Sequence, residues 1–289
     1  MDRQNNGYRL GLYEKSMPSD LTWKEKLIIA KESGFDYLEM SIDESDAKLS
    51  RLEWDEEQRE EVRQAMRETG EPISSICLSG HRKYPLGSKD IQIQRRSLEI
   101  MEKAIRLAAD LGIRLIQLAG YDVYYEQGDE HTRAAFETNL KKCVTMAARN
   151  GVILGFETME TPFMDTVEKS MYYVEKIKSP YLGVYPDIGN LKNASLLYGK
   201  SVNEDLQSGQ GHLFAAHLKE TIPDHYREIP FGTGHTEYTE NIEKLKELGV
   251  RMFVGEFWYT GNKEWKNDVK DAALFLRNKL DPVFEEVTA

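Results

Sequence analysis

The chain has 289 residues, 40% apolar and 30% charged, a globular composition with room for one large domain or two modest ones and for a sizeable core. Its 38 basic and 49 acidic residues leave a formal net charge of −11, which repels nucleic acid and anionic membrane unless basic residues cluster, and they do not cluster enough. Cys77 and Cys143 form no metal-spaced pair or disulfide framework, "MDRQNNGYRL" lacks a signal-peptide core, and no stretch approaches the ~18 apolar residues of a membrane span, so a soluble protein of a reducing, cytoplasmic compartment is expected.

In chain order, "YRLGLY" (8–13) reads as a first strand and "WKEKLIIAKESG" as the helix behind it, closed by Gly34. "YLEMSI" (37–42) follows, then "EEQREEVRQAMRETG" to Gly70. "ISSICLSG" (73–80) precedes "SLEIMEKAIRLAADLG" to Gly112, and "LIQLAG" (115–120) precedes "NLKKCVTMAARNG" to Gly151. "ILGFET" (153–158) is followed by "VEKSMYYVEKIK", and then come two strand-like runs, "LGVYPDIG" (182–189) and "HLFAAHLKE" (212–220). "YTENIEKLKELG" ends at Gly249, and "MFVGEFW" (252–258) leads into "WKNDVKDAALFLRNKL".

Eight strand–helix units without a linker predict a single (β/α)8 TIM barrel domain over residues 1–289, an α/β fold whose usual size is ~250 residues. The competing doubly wound open sheet lacks its G-x-G-x-x-G after the first strand, where "LGLYEKSMPSD" stands instead.

Active sites of such barrels lie where strands end and βα loops begin. Four consecutive predicted strands supply an ionisable residue there: Glu157 in "GFETME", Asp187 in "YPDIGN", His217 in "AAHLKE" and Glu256 in "VGEFWY". Their separations of 30, 30 and 39 residues approximate one βα repeat, which places the side chains at similar height on neighbouring strands. Three converging carboxylates repel one another unless protonated or neutralised by a cation, so a divalent metal ion is expected. Oxygen donors with one imidazole suit Mn²⁺, Zn²⁺, Co²⁺ or Mg²⁺.

At these residues the sequence resembles the L-ribulose-5-phosphate (L-xylulose-5-phosphate) 3-epimerases of bacterial ascorbate and pentose use, within the xylose-isomerase-like TIM barrel superfamily. The resemblance runs nearly the full length, through "LGLYEK", "YLEMSIDESD", "CLSGHRKYPLGS", "ETMETPFM", "YPDIGNL", "HLKET" with "IPFGTG", and "GEFW". It implies a metal held by Glu157, Asp187, His217 and Glu256, with the two glutamates doubling as acid–base catalysts. Related ketose epimerases carry a substrate-binding histidine three residues after the aspartate and an arginine six after the histidine; here Asn190 and Pro223 stand there, which favours a phosphorylated ketose over a free sugar.

A phosphate calls for cations and free N–H groups in the loops at the barrel mouth. Lys219, His225, Arg227, Gly232 and Gly234 are candidates on one side, and His81, Arg82 and Lys83 on the other. Asn190, Glu14, Lys15, Glu39, Ser79, Tyr121 and Glu160 are candidates to orient substrate hydroxyls. Epimerisation at C3 of a 2-ketose removes a proton beside the carbonyl and returns it to the opposite face, a task for two groups, Glu157 and Glu256.

Rival readings are a hexulose-6-phosphate aldose–ketose isomerase, a metal-dependent phosphodiesterase of the endonuclease IV type, and a non-catalytic sugar-phosphate sensor. The phosphodiesterase calls for more histidines than the six present and for a basic groove. Neither nucleic acid nor membrane is expected as a partner, and apolar helix faces on a barrel suggest a homodimer.

Overall fold

The computed structural model describes residues 7–285, in which eight parallel strands alternate with helices. In order they are β1 (Arg9–Tyr13), α1 (Trp23–Ser33), β2 (Tyr37–Ile42), α2 (Asp46–Leu49), α3 (Glu56–Thr69), β3 (Ile73–Leu78), α4 (Ile91–Leu111), β4 (Leu115–Ala119), α5 (Glu130–Arg149) and β5 (Ile153–Glu157). They continue as α6 (Val167–Ile177), β6 (Leu182–Tyr185), α7 (Ile188–Tyr198), α8 (Val202–Ser208), β7 (Ala216–Leu218), α9 (Tyr238–Glu247), β8 (Met252–Gly255) and α10 (Trp265–Phe284). Short 3₁₀ turns follow β1, α2 and β3, at Glu14–Ser16, Ser50–Glu53 and Gly80–Arg82.

The strands pair in the order β6-β5-β4-β3-β2-β1-β8-β7. Isolated parallel bridges Val184↔Leu213 and Asp187↔His217 join β6 to β7 and close the ring. The predicted TIM barrel is the observed fold. No helix among the described residues is long and apolar enough to cross a membrane.

Local chemistry accounts for the boundaries. Helix α1 opens on a reciprocal Thr22–Glu25 capping box and ends on Gly34 at φ 101°, a left-handed conformation in which a side chain would be strained. Amphipathic faces of the long helices pack on the outer surface of the strands, and all six residues of β2 are buried. Inward residues alternate with these. Tyr13, Tyr37, Cys77, Leu115, Tyr185, Ala215 and Val254 form a separate apolar cluster. It fills the barrel interior, and its Tyr13 and Cys77 reach the cavity at the mouth. Gly11 makes room for it, since a Cβ there would lie 2.4 Å from the Tyr37 ring.

Three expected strands are shorter than their apolar runs by at least three residues. The sixth ends at Tyr185, because Pro186 has no N–H to continue the ladder and Asp187 already caps α7. The seventh shrinks to Ala216–Leu218, with its leading residues meeting β6 through bridges, and the eighth stops at Gly255. Helices α7 and α8 were not expected; a glycine and two asparagines in "IGNLKNASLLY" mask the helical period of α7.

Candidate metal centre and active site

Each of the four expected residues stands at the same end of the barrel for a local reason. Glu157 is the last residue of β5, in register with Ala119 of β4 and Tyr185 of β6. Asp187 follows Pro186; one oxygen, Oδ1, accepts from Asn190 N at 2.8 Å as the cap of α7, and the other is left facing inward. His217 lies within β7, its N–H donating to Pro186 O at 2.9 Å across the closing seam. Glu256 follows β8 and donates its N–H to Leu218 O at 3.0 Å, which sets it level with His217.

The four converge. One ligand atom from each of Glu157, Asp187, His217 and Glu256 lies within 4.8 Å of all the others, and all four residues are buried. His217 Nδ1 sits 3.4 Å from Glu157 Oε1, 3.5 Å from Glu256 Oε2 and 3.9 Å from Asp187 Oδ2. Its other nitrogen, Nε2, is 2.7 Å from Glu39 Oε1, and Glu39 accepts in turn from Ser75 Oγ at 2.7 Å and Tyr185 Oη at 3.0 Å. An Nε2–H held by Glu39 leaves the Nδ1 lone pair pointing into the cluster, the arrangement of a metal-ligating imidazole. Gln117 donates to Glu157 Oε2 and fixes that carboxylate from behind.

The donor set fits a divalent cation. Asp187 Oδ2, His217 Nδ1 and Glu256 Oε2 are buried atoms without an aligned hydrogen-bond partner, a costly state that a coordinated ion would relieve. The only ammonium in the cluster among the described residues belongs to Lys219, 2.9 Å from Asp187 Oδ2 and 3.3 Å from Glu256 Oε2. Three carboxylates against one ammonium leave two negative charges, which a dication balances.

The protein groups alone distribute protons accordingly. Burial, with repulsion from Glu256, pushes Glu157 up, and burial pushes Asp187 up to about 7 despite Lys219. Glu256 is buried as well, yet Lys219 and His217 hold it well below the usual carboxylate range. Burial disfavours the charged His217 ring, but Glu39, Glu256 and Glu157 outweigh it and raise the imidazole well above its ordinary value.

Above the cluster lies a small cavity of about 50 Å³, lined among others by Tyr13, Lys15, Ser79, Arg82, Glu160, Asn190, Lys219, Tyr226, Arg227 and Trp258. Seven expected mouth residues, Lys15, Ser79, Arg82, Glu160, Asn190, Lys219 and Arg227, therefore face the site. Asn190 Nδ2 donates to Thr158 O at 2.8 Å, and its Oδ1 has no partner. Tyr121 donates to Glu160 Oε2 at 3.0 Å, which holds that carboxylate at the rim.

Other expected residues stand elsewhere. His81 is buried against α4, with Nε2 3.1 Å from Ser97 O, because the 3₁₀ turn after β3 turns it away from the cavity. Gly232 and Gly234 wrap a carboxylate of their own chain instead of the cavity: Gly232 N donates to Glu220 Oε2 at 2.8 Å, and a Cβ on Gly234 would lie 2.6 Å from Glu220 Oε1. His225 is exposed beside Pro223 O, and Lys83 is exposed. Glu39 stands behind His217, and Glu14 is enclosed by Lys26, Lys48 and Arg51.

Gln117, Ser75 and Tyr226 were missed. For Gln117 and Ser75 a signal was present: each is a polar residue at an inward position of an otherwise apolar strand, where burial demands a partner. A larger cleft of about 860 Å³ lies outside the barrel, lined by residues such as Phe163, Met171, Tyr172 and Tyr198, but it gathers no comparable cluster of ligating side chains.

The family model described as xylose isomerase-like TIM barrel matches residues 27–279. L-ribulose-5-phosphate 3-epimerases of Salmonella paratyphi A and Salmonella typhimurium LT2 are each 46% identical over 250 residues, 86% of this chain and 87% of theirs. Among solved structures, a D-psicose 3-epimerase of Clostridium cellulolyticum H10 with D-tagatose matches at TM-score 0.79 and 16% identity, covering 94% of this chain and 99% of that one. The 3-keto-D-glucoside 4-epimerase of E. coli matches at TM-score 0.75 and 18% identity, with the same coverage of 94% and 99%. At those identities the solved structures speak for the fold alone.

Proposed function

This chain belongs to the L-ribulose-5-phosphate 3-epimerase family of xylose isomerase-like TIM barrels, and from that premise we propose that it interconverts L-ribulose 5-phosphate and L-xylulose 5-phosphate at C3. The observation that carries the reading is the pairing of Glu157 and Glu256. They come from strands at the two ends of the β5–β8 arc and close on one histidine nitrogen. Two carboxyl groups brought to one point from different strands are the equipment for taking a proton on one side and delivering one on the other.

Glu157, Asp187, His217 and Glu256 would hold the divalent ion, of which Mn²⁺, Zn²⁺ and Co²⁺ suit the mixed oxygen and imidazole set and Mg²⁺ the oxygens. When bound, such an ion supplies Lewis acidity that stabilises the negative charge building up beside the abstracted proton. Glu256, beside the Lys219 ammonium, takes the C3 proton of one epimer, and Glu157 returns a proton to the opposite face. For the other epimer the two exchange roles, as microscopic reversibility requires. Gln117 holds Glu157 in place, Asn190 offers its free Oδ1 to a substrate hydroxyl, and Tyr13 and Trp258 wall the cavity against water.

The acid–base step is typically worth ~10²–10⁴ in rate, so positioning and charge stabilisation supply the remainder of the ~10⁶ or more that enzymes reach. The setting that fits this reading is a cytoplasmic enzyme of pentose phosphate and L-ascorbate use. The test is incubation with L-ribulose 5-phosphate and Mn²⁺ in deuterium oxide: deuterium enters C3, L-xylulose 5-phosphate appears, and chelation stops both. Label at C1 with an aldose product would replace this reading with aldose–ketose isomerisation.

A further inference from the structure

We propose that Glu160 is a placeholder for the substrate phosphate, closing the site across Arg82 and Arg227 until a phosphomonoester dianion displaces it. The proposal rests on the phosphorylated-ketose reading and says where the phosphate goes and what it moves.

Volume is the first reason. Ligand pockets run to roughly 300–1,000 Å³, whereas the cavity over the metal cluster offers about 50 Å³. A pentulose phosphate enters only if part of the rim withdraws. The rim is closed by one network: Glu160 Oε1 accepts from Arg227 Nη2 at 3.4 Å and from Tyr124 Oη at 3.2 Å, while Oε2 accepts from Tyr121 Oη at 3.0 Å, which itself accepts from Arg82 Nη2 at 3.4 Å. The two arginine contacts are at the long end of hydrogen bonding, so breaking them loses little.

Charge is the second. Lys219 is committed to Asp187 and Glu256, and Lys15 to Asp43. Arg227 directly, and Arg82 through Tyr121, share the single carboxylate of Glu160, which leaves one positive charge in excess. A phosphate monoester brings about −1.5 to −2 and three acceptor oxygens. With Glu160 withdrawn it balances two guanidinium groups; with Glu160 in place it would face a third negative charge. Guanidinium forks suit phosphate oxygens, and Arg82 Nε is buried without a partner in the closed state.

Mobility is the third. Glu160 lies in the irregular segment between β5 and α6, and its side chain keeps 19% exposure, a way out to solvent. Tyr226 and Arg227 are presented by a loop bracketed by Asp224 at φ 61° and Glu228 at φ 59°, left-handed conformations that store backbone strain in a non-glycine residue. Glu160 is thus the specificity element: an unphosphorylated ketose has nothing with which to displace it.

The experiment titrates inorganic phosphate calorimetrically into the Mn²⁺-loaded protein and its variants, alongside turnover of L-ribulose 5-phosphate and L-ribulose. Glu160→Gln keeps the shape, removes the charge, and is expected to tighten phosphate binding at least fivefold and to narrow the preference for the phosphorylated substrate. Arg82→Ala and Arg227→Ala should each weaken phosphate at least tenfold, with Arg82→Lys and Arg227→Lys as variants that keep charge and fold. Phosphate affinity within twofold of wild type in Glu160→Gln, or undiminished in the folded arginine variants, overturns the proposal. If phosphate binding responds as stated while no epimer forms, the anion site stands and the epimerase reading falls; if epimer forms and phosphate binding is flat across the variants, the reverse holds.

Discussion

Two buried charge clusters stand at the C-terminal ends of the strands, and they are built on opposite rules. Around Glu14, Oε1 accepts from Lys26 at 2.8 Å, Lys48 at 2.6 Å and Arg51 at 2.6 Å, and Oε2 from Arg51 at 2.5 Å and Ser41 N at 2.9 Å. Every lone pair is used. Around His217, Asp187 Oδ2, Glu256 Oε2 and Nδ1 itself are left without aligned partners. The first cluster is complete from the protein's own groups and fastens β1 to α1 and α2; the second leaves buried lone pairs of the kind a bound cation would fill. Satisfaction, more than charge count, separates a structural cluster from a reactive one.

The largest effect expected from breaking this contrast is on the reactive side. Glu256→Gln or Glu157→Gln removes a proton carrier while nearly preserving shape, and kcat for L-ribulose 5-phosphate should fall by ~10²–10⁴ with the thermal midpoint close to that of wild type. Retention of most activity with metal bound would remove these residues from the proton path.

On the structural side the signature inverts. Glu14→Gln leaves buried Lys26, Lys48 and Arg51 facing a neutral group, and the loss of stability should be ~3–5 kcal/mol, the cost of breaking a buried ion pair. Denaturant titration reads that loss, and kcat per folded molecule should stay near wild type. A variant that is stable but inactive would move Glu14 into the active site.

The two buried histidines sharpen the comparison through pH. Neighbouring carboxylates push the His217 ring up, whereas burial pushes His81 down to about 4 with only the Ser97 carbonyl opposing. Below about pH 6.5 the unfolded chain takes up a proton at the His81 ring that the folded chain refuses until about pH 4. Stability is therefore lost as pH falls through that window, by up to about 3 kcal/mol from this group at 1.36 kcal/mol per pH unit. His81→Gln should flatten that part of the stability–pH curve, measured by denaturant midpoints every half unit; an unchanged slope would mean that the ring is not buried neutral.

The same contrast governs what was legible in the sequence. Glu157, Asp187, His217 and Glu256 could be found because strand period and βα spacing fix both height and direction, and the barrel leaves little freedom in either. His81 could not be separated from Arg82 by that logic, since both lie in a turn whose handedness decides which one faces the cavity. Gly232 and Gly234 read as an anion cradle, and they are one, but the anion is Glu220, only twelve and fourteen residues before them in the chain. Glu39 was visible as a polar residue among those expected near the mouth, while its place within β2 and its partner across 178 residues of sequence were not.

Glu39 also supplies the subtlest test, because it belongs to both kinds of cluster. It is fully bonded, by His217, Ser75 and Tyr185, and yet it holds the ring of a candidate metal ligand. If Nε2–H must be held for Nδ1 to face the other three ligands, Glu39→Gln should weaken divalent metal binding ~10–100-fold, the usual cost of losing such a partner. A chelator-competition titration reads this directly, and Glu39→Asp, too short to reach the ring but still anionic, should weaken it as well. Equal affinity in Glu39→Gln and wild type would show that the ring needs no outer carboxylate and that packing against Tyr185, 5.0 Å between ring centroids, orients it alone.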